Sequence, residues 1–100
     1  MKYSVSVTAL TAAVFVAIGA AEAEEAEVMH WWVSAGESAA VNEIAMAYEA
    51  QGGTWVDNAI AGGEIAIANI VSRITGGNPP TANQIPLGKQ VDDLVMAGLL

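Results

Sequence analysis

One hundred residues allow a single domain at most, and losing an apolar leader of twenty-odd residues would leave a chain near the lower limit for an independent core. Eleven acidic side chains against three basic ones give a net charge of −8, which argues against nucleic acid and against anionic lipid, since both need basic patches. The chain has no cysteine, so a disulfide framework and thiolate zinc sites are excluded.

The chain opens Met1-Lys2-Tyr3, with one positive charge, and then runs almost wholly apolar or small from Val7 to Ala21. Ala21-Glu22-Ala23 supplies a small-x-small site. This is the three-part layout of a secretory signal peptide, with an apolar run too short for the roughly 20 residues that span a bilayer. Residues 1–23 are therefore expected to be removed, with cleavage after Ala23 preferred over Ala21 and an uncleaved anchor as the alternative. The short, alanine-rich design is of bacterial type, and the implied destination is the periplasm. Residues 24–100 then form the working part.

Glu27 to Val33 reads as a first strand, with apolar residues that do not alternate cleanly, as in a strand covered on both faces. Ser34-x-x-Glu37 matches a helix capping box. A helix is expected from Gly36 to Ala50, with Val41, Ile44, Ala45 and Tyr48 on one face. Gly52-Gly53 ends it, because glycine takes the left-handed conformation after a helix without penalty. Thr54 to Ile60 reads as the second strand. Glu64 to Thr75 reads as the second helix, with Ile67, Ile70, Val71 and Ile74 at helical spacing. Gly76-Gly77-Asn78-Pro79-Pro80 stops it. Thr81 to Ile85 is a candidate third strand, and Lys89 to Ala97 a third helix with Val91, Leu94 and Val95 inward. The order is βαβαβα with short connections, which predicts an α/β fold with a parallel sheet and helices on its faces. Ligands in such sheets bind at the carboxyl ends of the strands. The turns at 34–37, 61–64 and 86–89 all fall there.

Catalytic chemistry has little to draw on. There is one histidine, no nucleophile-elbow serine and no EF-hand spacing of acids. Gly62-Gly63 at a helix start could face a phosphate, but Glu64 follows at once and would repel it; a close strand-to-helix turn explains the pair equally well. His30 on a buried strand reads as a hydrogen-bonded structural residue and receives no role. The informative stretch is His30-Trp31-Trp32-Val33-Ser34-Ala35-Gly36-Glu37. A sugar offers a face of C–H groups and a rim of hydroxyls, suited to an aromatic ring and a carboxylate respectively. Neighbouring strand residues point to opposite sides, so one tryptophan should pack inward while the other reaches a cleft, unless both contribute at the strand's end, where the geometry loosens. Core packing of both tryptophans, with Glu37 only completing the capping box, explains the same residues.

Taken in order, that stretch, Gly52-Gly53-Thr54-Trp55-Val56-Asp57, Ala59-Ile60-Ala61-Gly62-Gly63, Gly76-Gly77-Asn78-Pro79-Pro80, Gln84 and Gly98-Leu99-Leu100 resemble the amino-terminal part of the family 1 extracellular solute-binding proteins of bacterial ABC transporters. The glucose/mannose-type sugar-binding branch is the nearest. The resemblance covers nearly all of the chain after the leader. It implies a two-lobed (type II) periplasmic binding protein that closes on a monosaccharide such as glucose and delivers it to ABC permease subunits in the membrane. It also implies no catalysis, no cofactor and a monomer, with this chain as the beginning of the first lobe. In that branch the two tryptophans and the glutamate contact sugar, which carries over to Trp31, Trp32 and Glu37. The branch also has a sugar-contacting lysine closely following the glutamine. Here Pro86 or Leu87 stands at that position and Lys89 comes a few residues late. Ala35 stands where the family prefers glycine.

Two other readings fit the residues. An exported carbohydrate-active enzyme would use Glu37 with a second carboxylate such as Glu64, and glycoside turnover would reveal it. A small secreted interaction domain, complete at this length, would unfold cooperatively on its own.

Overall fold

A computed structural model describes residues 24–100. The expected leader, 1–23, lies outside the described residues. The elements alternate as β1 (Glu25–His30), α1 (Ala35–Ala50), β2 (Thr54–Ala59), α2 (Gly63–Thr75), β3 (Ala82–Asn83) and α3 (Lys89–Met96). All pairings are parallel, and the strand order is β2-β1-β3. The α/β fold with a parallel βαβαβα sheet is thus the one its sequence predicts. No helix among the described residues is long and apolar enough to cross a membrane.

β1 is the central strand and is covered on both faces. Met29 is 1% exposed and packs with Ile70 and Ile74 of α2 and Leu94 of α3, with Ile60 and Ile85 at the margin. Alternation then turns Val28 and His30 to the opposite face, where they line a cavity with Val41 and Ile44 of α1. Ala26, Val41 and Ala45 are the buried apolar residues of that thinner layer. Two inward assignments need correction: Ile44 is 56% and Val95 54% exposed. Periodicity marks a stripe but not its width. On α1 only Val41 and Ala45 reach the buried layer, and on α3 only Leu94 does.

The helices end alike. After α1 the Gly52 amide donates to the Glu49 carbonyl at 2.9 Å and the Gly53 amide to that of Tyr48 at 3.2 Å. This is a Schellman closure, and it places Gly52 at φ 92°, where a side chain would be strained. The same pair of bonds closes α2 through Gly77 and Asn78, and α3 through Gly98 and Leu99.

The boundaries of β1 differ from the sequence reading. The strand begins at Glu25 and stops at His30, leaving Trp31, Trp32 and Val33 outside it. Long-range partners hold Glu24 and Glu27 at its start. The Glu24 carbonyl accepts from the Tyr48 hydroxyl at 2.5 Å and from the Thr54 amide at 3.2 Å. Glu27 takes both terminal nitrogens of Arg73, at 2.6 and 2.7 Å, and the Asn58 amide at 3.2 Å. β3 is also shorter than expected. It pairs only Ala82 with Val28 and Asn83 with Met29, while Thr81 continues the ladder by its side chain, accepting from the Glu27 amide at 3.1 Å.

The guanidinium of Arg73 holds the Glu27 carboxyl below its ordinary value of 4.5, aided by Asn58 and opposed by desolvation. A carboxyl lowered on folding adds stability above its unfolded value and loses it as pH falls through the folded one. Unfolding midpoints should therefore drop as pH falls below 4.5. Glu27→Gln should lower the neutral-pH midpoint and flatten that drop, measured by thermal denaturation followed by circular dichroism.

Candidate functional site

The strand order fixes where a ligand can enter. From β1 the chain crosses through α1 to β2 on one side, and from β2 it crosses through α2 to β3 on the other. α1 and α2 therefore cover opposite faces of the sheet, and the connections leaving the strands start at its carboxyl edge, where open parallel sheets bind ligands. His30 ends β1 there, and the next residues are Trp31 and Trp32.

The sheet ladder ends at this point. The Met29 carbonyl accepts from the Gln84 amide at 2.9 Å and the His30 carbonyl from the Ile60 amide at 2.8 Å. The next two amides go to side chains. Trp31 N–H donates to Gln84 Oε1 at 3.2 Å, and Trp32 N–H donates to His30 Nδ1 at 3.1 Å. The Val33 amide then closes back on the Trp31 carbonyl at 3.0 Å, a three-residue turn centred on Trp32.

The two indoles lie beyond the strand and go to opposite helical layers. Trp31 is half-buried, and its indole lies over Gly63. A Cβ at Gly63 would sit 3.5 Å from both Cε2 and Nε1 of the ring. That is ordinary van der Waals contact, so glycine is called for at Gly62, whose φ of 94° is in the left-handed region, and Trp31 rests against the start of α2. Trp32, 38% exposed, turns under α1. There it lines a mostly apolar cavity of about 240 Å³ with Val28, Val41, Ile44 and Trp55. A neighbouring space of about 370 Å³ adds Asn42, Glu49 and Asp57 to its walls.

Glu37 sits in the first turn of α1 and completes the expected capping box with Ser34. Its Oε1 accepts from the Ser34 hydroxyl at 2.6 Å and from the Ser34 amide at 3.4 Å. The Ser38 hydroxyl donates to the Trp32 carbonyl at 3.4 Å, which ties the same helix start to the tryptophan turn. Lys89 opens α3 after the loop leaving β3. Its ammonium is exposed and pairs with Asp93 at 2.5 Å. Trp31, Trp32 and Glu37 are therefore gathered on one connection, whereas Lys89 stands on another and is held by its own helix.

The histidine left without a role is buried at 5% exposure and fully engaged. Its Nε2–H donates to Asp57 Oδ1 at 2.6 Å, and the same oxygen accepts from Trp55 Nε1 at 3.3 Å. Accepting at Nδ1 and donating at Nε2 assigns the neutral Nε2–H tautomer from the network. The Asp57 partnership follows from strand register. Val28 is paired with Asp57, so Asp57 shares the face of Val28 and His30. No spacing within the sequence carries that information. Among the described residues no three His, Asp or Glu side chains converge as a metal-binding set.

Three relatives share this chain's sequence over nearly its whole length. A protein of Rhizobium meliloti (strain 1021) named "Probable sugar-binding periplasmic protein" is 38% identical over 102 residues, which is 100% of this chain and 24% of that protein. A Mesorhizobium japonicum protein of the same name is 36% identical over 93% of this chain and 22% of its own length. One from Brucella suis biovar 1 is 37% identical over 92% and 22% respectively. The chain spans about a quarter of the length of these relatives. No protein-family model matches it.

Ser34→Ala removes the side-chain half of the capping box and frees the Glu37 carboxylate. It should cost about 1 kcal/mol of stability, read as a shift in urea midpoint without a change in slope.

Proposed function

We propose that this chain is the amino-terminal part of the first lobe of a periplasmic sugar-binding protein, exported by residues 1–23. The intact protein binds a monosaccharide such as glucose and delivers it to the permease subunits of an ABC importer. One observation carries the reading. In a chain similar throughout to proteins named as sugar-binding, paired tryptophans leave β1 at the carboxyl edge of the parallel sheet.

Trp31 offers the indole best set for stacking on a sugar's C–H face, because it stands at the head of α2 against Gly63. Trp32 forms the wall on the α1 side. Glu37 accepts from sugar hydroxyls, using the carboxylate oxygen that the capping box leaves free. Lys89 joins the site only if it releases Asp93. A second lobe closing over this edge would complete the contacts and exclude water. Glu37 is held as a fixed acceptor by Ser34, which suits binding without turnover.

Calorimetric titration of the intact protein with D-glucose should give saturable binding and no hydrolysis of a glucoside. Trp31→Ala should weaken binding at least about tenfold, equivalent to about 1.4 kcal/mol, and Glu37→Gln should weaken it less. Unchanged affinity in both variants would remove these residues from the site.

A further inference from the structure

The two amides after β1 belong to residues that have left the sheet, yet both are satisfied by side chains within the fold. A buried amide without a partner costs more than a hydrogen bond is worth, so whichever group takes these amides also fixes the path of the backbone. Gln84 takes the first, from the half-buried region near β3. His30 takes the second, and it differs from Gln84 in being itself clamped from behind. Asp57 holds its Nε2–H at 2.6 Å, and Asp57 is steadied in turn by the Trp55 indole at 3.3 Å. With Nε2 so engaged, the ring can neither flip nor rotate without losing a buried contact. Nδ1 therefore stays aimed at the Trp32 amide.

We infer that His30 is a positioning residue for the sugar site: oriented by Asp57, it anchors the Trp32 amide through Nδ1 and so sets the turn that separates the Trp31 and Trp32 indoles. The inference rests on the sugar-binding reading proposed above. His30 touches no ligand, and its effect passes through the backbone of Trp32. The chain from Asp57 to His30 to Trp32 resembles the outer layer of a metal site, where a carboxylate fixes an imidazole whose other nitrogen does the work. Here the worked group is a main-chain N–H.

Two substitutions separate the halves of the imidazole. Asparagine places an acceptor at the same number of bonds from Cβ as Nδ1, and glutamine places a donor at the same number as Nε2. In the intact protein, His30→Asn should keep the Trp32 anchor and give up the Asp57 contact. His30→Gln should do the reverse. Amide hydrogen exchange at Trp32, followed by NMR, should quicken about tenfold in His30→Gln and little in His30→Asn. Affinity for D-glucose should fall roughly fivefold in His30→Gln, the worth of one buried hydrogen bond, and less in His30→Asn. Thermal midpoints of the two variants provide the control, since a purely structural histidine would lower both without splitting exchange or affinity. Equal behaviour of the two variants in exchange and affinity, while Trp31→Ala or Trp32→Ala still weakens binding, would overturn the inference alone. Absence of glucose binding by the unaltered protein, or wild-type affinity in both tryptophan variants, would overturn the sugar reading and the inference with it.

Discussion

The stop of β1 at His30 is the constraint on which the site depends. Up to that residue the strand is ruled by the sheet: β2 and β3 take its carbonyls and alternation fixes its side chains. One residue later the hydrogen-bonding partners become side chains, Gln84 for Trp31 and His30 for Trp32. The backbone can then turn within three residues, and two adjacent indoles reach different places.

The two layers are unequal, and the inequality bears on the site. The face shared with α2 and α3 holds the dense cluster around Met29 and Ile70, and on the same side Glu27 and Arg73 join β1 to α2. The apolar residues buried under α1 are small or β-branched, Ala26, Val41 and Ala45, and that face keeps open space lined by Trp32 and Trp55. His30 and Asp57 lie on that looser face. Their hydrogen bonds, and not tight packing, define the end of the strand there, which is why a polar pair has been placed in a mostly apolar layer. Both ring nitrogens of buried His30 find a partner, while the Asp57 carboxylate stays half exposed, so burial carries little penalty.

Much of the architecture was legible because local signals agreed with one another. Ser34 and Glu37 announced a capping box and formed one. Gly52, Gly76 and Gly77 announced helix ends, and Schellman closures formed at both. Apolar residues at helical spacing picked out Ile70, Ile74, Val41 and Leu94, all buried. What escaped the sequence depends on pairing between distant residues. The strand starts two residues before the Glu27 expected from the sequence, because Thr54 pairs with Glu25. His30 reads as a hydrogen-bonded residue, but only register brings its partner Asp57, 27 positions away, to its face. The tryptophan pair stands out in the sequence, but the side-chain acceptor of the Trp31 amide, Gln84, is 53 positions away and no local pattern points to it.

The central claim is that the tryptophans beyond β1 meet sugar while the third tryptophan, Trp55, is structural. The chain has three tryptophans, and their indole N–H signals can be followed separately by NMR in the intact protein. On titration with D-glucose the Trp31 and Trp32 signals should move saturably and together, while the Trp55 signal, bonded to Asp57, should stay in place. Movement of Trp55 alone, or no movement of any indole at saturating sugar, would contradict the account.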